Sequence, residues 1–138
     1  MLDQLIEFII NHYILVGLFV ALLVSFFLNE GRLGGATVSS SQLVTLINRE
    51  EAIVLDIRDQ KDFNSGHIVD AINIPFASIE SRKSELEKYK SHPIIIVCKM
   101  GQHAGGVGRK LRALGFEKVQ RLSGGIAEWR ASSMPLVK

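Results

Sequence analysis

Four consecutive β-branched apolar residues, Ile94-Ile95-Ile96-Val97, stand between Pro93 and a loop carrying Gly101. A strand with one solvated face alternates apolar and polar residues. An unbroken run is buried on both faces, the habit of a central strand in a parallel sheet. The rest of the chain fits that frame. Ala52 to Ile57 reads as a second buried strand whose far end delivers the polar cluster Asp56-Ile57-Arg58-Asp59 to a loop. Ala71 to Ile74 reads as a brief strand stopped by Pro75, and Val119 to Leu122 as a last one. Between them the spacing predicts helices: one after an N-cap at Ser39, one over Ile79 to Tyr89, one over Ala104 to Leu114 with a stop at Gly115, and a short one carrying Trp129. Strands alternating with helices make an α/β domain. Trp129 reads as core, and the charges of Ser81 to Lys90 as a solvated helix face.

The central strand ends on the chain's single cysteine, Cys98, and the sequence continues Lys99-Met100-Gly101-Gln102-His103-Ala104 into a helix. Backbone N–H groups at a helix start have no intrahelical partner, and the helix dipole adds partial positive charge there. That field favours a thiolate and any anion attached to it. Cys98 is therefore the candidate nucleophile, and the loop from Lys99 to Ala104 the candidate cradle for its anionic adduct. Gly101 lets the loop backbone curl inward, and Lys99 attracts an anionic substrate. The bland alternative is an inert buried thiol. A single cysteine makes no internal disulfide, and Cys98 with His103 is the only near Cys/His pair, so no metal site is expected. Asp56 and Arg58 read as supports for neighbouring loops rather than as catalytic groups. His67 lies in a turn region where it bonds to backbone. His103 either tunes the thiol or is simply exposed.

The N-terminal part is of another kind. From Phe8 to Leu28 no residue is charged, and Tyr13 to Leu28 shows no polar face. About 20 apolar residues span a bilayer as a helix. A signal peptide would start with basic residues, whereas this chain starts with Asp3 and Glu7. The expectation is one transmembrane helix over 1–29, a flexible linker over 30–38 rich in glycine, and a folded domain over 39–138. Arg32 follows the apolar run and no base precedes it, which places the domain on the cytoplasmic side. Gly17, Ala21 and Ser25 share one face of that helix, where they permit close helix packing or simply face lipid. The remainder, without Asp3, Glu7 and Glu30, is mildly basic and suits anionic substrates beside anionic lipid. It carries no aromatic-rich basic patch, so nucleic acid is not an expected partner.

Four segments, in order, resemble a rhodanese domain: Leu55-Asp56-Ile57-Arg58; Gly66-His67-Ile68 through Ala71-Ile72-Asn73-Ile74-Pro75; Cys98 with its loop; and Leu122-Ser123-Gly124-Gly125-Ile126-Ala127-Glu128-Trp129. The resemblance covers about Ser39 to Leu136. With the apolar run added, it extends to the membrane-anchored single-domain rhodaneses of bacterial inner membranes. It implies a five-stranded parallel sheet flanked by helices, with the cysteine loop at the strand C-termini. It implies sulfurtransferase activity: a sulfane sulfur passes from a small anionic donor such as thiosulfate to Cys98, and then from the persulfide to a thiol or cyanide. No organic cofactor is implied. Lys99 stands where the family often has Arg, and His103 where it commonly has a small, polar or basic residue. Val69-Asp70 replaces a Gly/Pro-type pair. Phosphatase relatives of the fold need an Arg in a longer loop, and this loop has none. The competing function is a tethered interaction module that binds membrane proteins without catalysis.

Overall fold

In the computed structural model, which describes all 138 residues apart from the side chains of residues 30–33, the chain divides into two units, Met1–Arg32 and Leu33–Lys138.

The second unit is the expected α/β domain. Its strands are β1 (Ala36–Val38), β2 (Ile53–Asp56), β3 (Ile72–Asn73), β4 (Ile94–Val97) and β5 (Val119–Leu122). They form one five-stranded sheet in the order β1-β5-β4-β2-β3, with every pairing parallel. β4 is central, and its alternation divides the core. Ile94 and Ile96 pack with Leu55, Ile79, Val107 and Leu111 on one face. Ile95 and Val97 pack with Val54, Leu43, Ile126 and Trp129 on the other. All four β4 side chains are fully buried. Each such isoleucine contributes about 1.5–3 kcal/mol of transfer free energy before chain-ordering entropy is subtracted.

Helix α3 (Ser40–Glu50) begins as its sequence dictates. The Ser39 hydroxyl accepts from the Gln42 N–H at 3.2 Å, and the Ser39 N–H donates to Gln42 Oε1 at 2.8 Å. This reciprocal pair satisfies two otherwise orphaned donors. Trp129 is buried as expected, and its indole N–H donates to the Pro135 carbonyl at 2.9 Å.

Several elements differ from expectation. Ala36–Val38, assigned by composition to the linker, is edge strand β1, held in register against Gln120, Arg121 and Leu122. Three residues are too few for a period-two signal, and the partner that completes them lies more than 80 positions away. The linker's share at residues 30–33 is instead the end of a helix, Tyr13–Leu33. The turn region before Gly66 contains a short helix, α4 (Gln60–Ser65). The single helix expected over Ile79 to Tyr89 is a turn of α-helix, α5 (Ile79–Arg82), that tightens into a 3-10 helix over Lys83–Tyr89.

The first unit contains α1 (Leu2–Asn11) and all but the last residue of α2 (Tyr13–Leu33). The single continuous helix expected over 1–29 is thus corrected to two. They meet at His12 with a bend of 92°. The break falls on Asn11-His12, the polar pair in the run, and Asn competes for backbone hydrogen bonds. The His12 ring lies 4.8 Å from that of Phe8. Among the described residues no single helix is long and apolar enough to cross a membrane. Leu2–Asn11 and Tyr13–Asn29 meet the length and composition requirement only together.

Candidate active site around Cys98

In this sheet β2 leads to β3 on one side, while β4 and β5 run to the other. The direction reverses between β2 and β4. Open α/β sheets bind ligands at such a reversal, beyond the strand C-termini. A pocket of about 340 Å³ opens there. Ile57, Arg58 and Asp59 reach it from the end of β2, Asp62 from α4, Phe76 and Ala77 from the turn after β3, and Cys98 from the end of β4.

Cys98 is buried to 4 % exposure and packs with the face of the sheet that carries Ile94 and Ile96. Beyond it Lys99, Met100, Gln102 and His103 also line the pocket, whereas Gly101 and Ala104 do not. Gly101 instead makes the turn, with φ of 87°. Ala104 is fully buried at the start of α6 (Ala104–Ala113).

Two hydrogen bonds orient the loop. The Ile126 N–H donates to the Cys98 carbonyl at 2.9 Å, and the Ala127 N–H to the Lys99 carbonyl at 3.1 Å. Both donors belong to α7 (Gly125–Ala131), none of whose residues line the pocket. A trans peptide holds its N–H opposite its C=O. The amides of Lys99 and Met100 therefore point away from α7. Among the described residues, no backbone N–H from Lys99 to Gly106 donates to a backbone carbonyl. A run of uncommitted donors of this kind, ending at a helix N-terminus, is an anion receptor.

Gly125 makes this arrangement possible. Its φ is 61°, and a Cβ there would collide with the Cys98 carbonyl oxygen and lie 2.9 Å from the Lys99 carbonyl group. Gly125→Ala is expected to cost about 2–4 kcal/mol, from overpacking and a left-handed alanine together. It should also push the cysteine loop out of place, so that any activity at Cys98 falls more than the loss of folded protein accounts for. Denaturant melts and activity per folded molecule check this; wild-type values for both would refute it.

Asp56 and Arg58 form a buried pair, with 1 % and 7 % exposure. Arg58 Nη2 lies 2.7 Å from Asp56 Oδ2, and Nε 3.0 Å from Oδ1. Nη2 also donates to the Gly66 carbonyl at 2.8 Å. The Asn73 amide donates to the Asp56 and Arg58 carbonyls at 3.0 and 2.9 Å. Arg58 thus fastens the end of β2 to the end of α4, and Asn73 fastens it to β3. Only Arg58 of the two reaches the pocket. His67 stays outside it. Its ring stacks on Phe63 at 3.8 Å, and its Nδ1 lies 2.9 Å from the Phe63 carbonyl oxygen. Its backbone exchanges two hydrogen bonds with Val137.

Sequence reasoning missed Asp59, Asp62, Phe76 and Ala77 as pocket residues. Their signal is positional: each follows the C-terminal end of β2 or β3, on the side where the cysteine loop emerges. Phe76 is 43 % exposed. Its ring lies 5.0 Å from that of His103, and the Lys110 ammonium lies 5.8 Å from its centroid. Nearby on the surface, the hydrogen bond from Lys83 holds the Glu80 carboxyl below the usual carboxylate range. Among the described residues no cluster of His, Cys, Asp and Glu could hold a metal ion.

Comparison with known proteins agrees with this architecture. A family model described as Rhodanese-like domain matches residues 39–132. Over 144 aligned residues the chain is 32 % identical to Uncharacterized protein YibN of Escherichia coli strain K12, covering 99 % of each chain. It is 34 % identical to Thiosulfate sulfurtransferase GlpE of Pseudoalteromonas translucida, over 69 % of this chain and 89 % of that one. Among solved structures, the rhodanese-like domain of an Anabaena protein superposes with a TM-score of 0.64 at 29 % identity, over 73 % of this chain and 77 % of that one.

Proposed function

Since the chain belongs to the rhodanese-like domain family, we propose that it is a sulfurtransferase carrying a sulfane sulfur on Cys98. One observation carries the reading: the uncommitted backbone donors that follow a cysteine at the head of the pocket. In the first half-reaction the Cys98 thiolate attacks the outer sulfur of thiosulfate. The S–S bond of the donor breaks, sulfite leaves with the electron pair, and Cys98 becomes a persulfide. The loop amides stabilise the anionic persulfide without reorganising, and Lys99 draws the anionic donor in. In the second half-reaction cyanide or a thiol attacks the outer sulfur and Cys98 leaves as thiolate. The named activity of GlpE relatives supports this choice of donor. Thiosulfate treatment of the purified chain should add one sulfur atom by intact-mass spectrometry. A chain whose mass does not change would remove the basis for the reading.

The first unit is, in the same reading, a tether in a bacterial inner membrane with the domain facing the cytoplasm. The support is the exposure of its apolar side chains, such as Leu15 at 63 % and Phe19 at 64 %, whose transfer into lipid is favourable. Arg32 after the run sets the orientation. Such a tether also suits docking to a membrane protein. Carbonate-washed membranes should retain the full chain and release one lacking residues 1–29. Release of both forms would overturn the tether.

A further inference from the structure

His103 differs from the other histidines of the folded domain. His67 commits its Nδ1 to the Phe63 carbonyl, and His92 brings its own to 3.2 Å from the Glu51 carbonyl oxygen. Neither ring nitrogen of His103 has a hydrogen-bond partner among the described residues. The residue is exposed, and its ring has one neighbour among the described residues. It lies against Phe76, on the wall of the pocket that holds Cys98. The backbone of the same residue closes the first turn of α6, accepting from the Val107 N–H at 3.4 Å. An imidazole with both nitrogens available, on the wall of a pocket that also presents a candidate nucleophile, is equipped for proton transfer.

Building on the sulfur-transfer reading of Cys98, we propose that His103 is the acid–base group that serves thiol acceptors at this site. An alkyl thiol reaches the pocket largely protonated, and its conjugate base is the nucleophile. His103 takes the proton from the acceptor S–H and passes it to the outer sulfur of the Cys98 persulfide. The acceptor thiolate attacks that sulfur. A new S–S bond forms to the acceptor, the bond to Cys98 breaks, and its electron pair returns to Cys98 as thiolate. The product is the acceptor persulfide, and no external oxidant or reductant is needed. The charged groups that line the pocket together with His103 are Asp59, Asp62, Lys99 and the Asp56-paired Arg58. On the Phe76 side they are Lys110 and Glu80. The sulfite dianion has no proton to give up, so it unloads the same persulfide without this step.

The test uses the full chain in detergent, loaded with thiosulfate and unloaded in a single turnover by mercaptoethanol or by sulfite at mildly alkaline pH. In His103→Gln and His103→Ala the ratio of thiol rate to sulfite rate should fall about 10²-fold. With trifluoroethanethiol, a more acidic thiol, the loss should shrink to about tenfold or less. Equal losses with both acceptors, the pattern of a structural or anion-binding role, would overturn this inference and leave the sulfur-transfer reading intact. A wild-type chain that takes up no sulfur would overturn both.

Discussion

Cys98→Ser is expected to take up no sulfur from thiosulfate and to lose transfer to cyanide by at least about 10³-fold. The hydroxyl is nearly the shape of the thiol, but it ionises far less readily and forms no persulfide. Cys98 is almost wholly buried among apolar neighbours, so a larger replacement would confuse folding with chemistry. Serine avoids that, because its hydroxyl can accept from the loop amides that have no other backbone partner. The variant should therefore melt within a few degrees of wild type. Sulfur uptake by the serine variant would place the carrier elsewhere. Loss of activity with unchanged melting, joined to one added sulfur on wild type, would assign the carrier to this residue. The same variant separates the enzyme from a docking module in cells: rescue of a deletion by Cys98→Ser supports docking, and failed rescue supports transfer.

The second large effect concerns stability. Arg58→Met should cost about 3–5 kcal/mol, because it leaves the Asp56 carboxylate buried without its counter-charge. The same change strands the Gly66 carbonyl, which accepts from Arg58 Nη2. In a domain of this size the melting temperature would fall by about 10–25 °C. The double variant Asp56→Leu with Arg58→Met should recover much of that loss, since removing both charges removes the desolvation penalty. A double-mutant cycle by denaturant melts measures the coupling. A single variant as stable as wild type would show that the pair does not hold the end of β2. Arg58 also lines the pocket, so activity is compared only per folded molecule.

The residues legible in sequence were those whose signal is local. Ile94 to Val97 declared a strand buried on both faces, and it is the centre of the sheet. Ser39 declared a helix start, and the structure adds its reciprocal hydrogen bonds with Gln42. Cys98 followed from the strand, and its loop from the glycine after it. The reading of Asp56 and Arg58 as supports rested on their position at a strand end, and they are a buried pair. Where the reading failed, the deciding contact was distant. β1 exists because Ala36, Thr37 and Val38 find β5. The break at His12 follows a polar pair that an average over the whole apolar run conceals.

By itself the sequence determined the kind of domain, the strand on which it is built and the side chain that stands at that strand's end. Strand and helix periods are properties of neighbouring residues, so they survive in one dimension. Only the tertiary structure decided what faces Cys98 from outside its own loop. Asp59 and Asp62 come from one connection, and Phe76 and Ala77 from the next. Parallel pairing of β2 with β3 and β4 brings the ends of these strands to one edge. The wall opposite the cysteine loop is thus fixed by register and crossover, which no local pattern encodes.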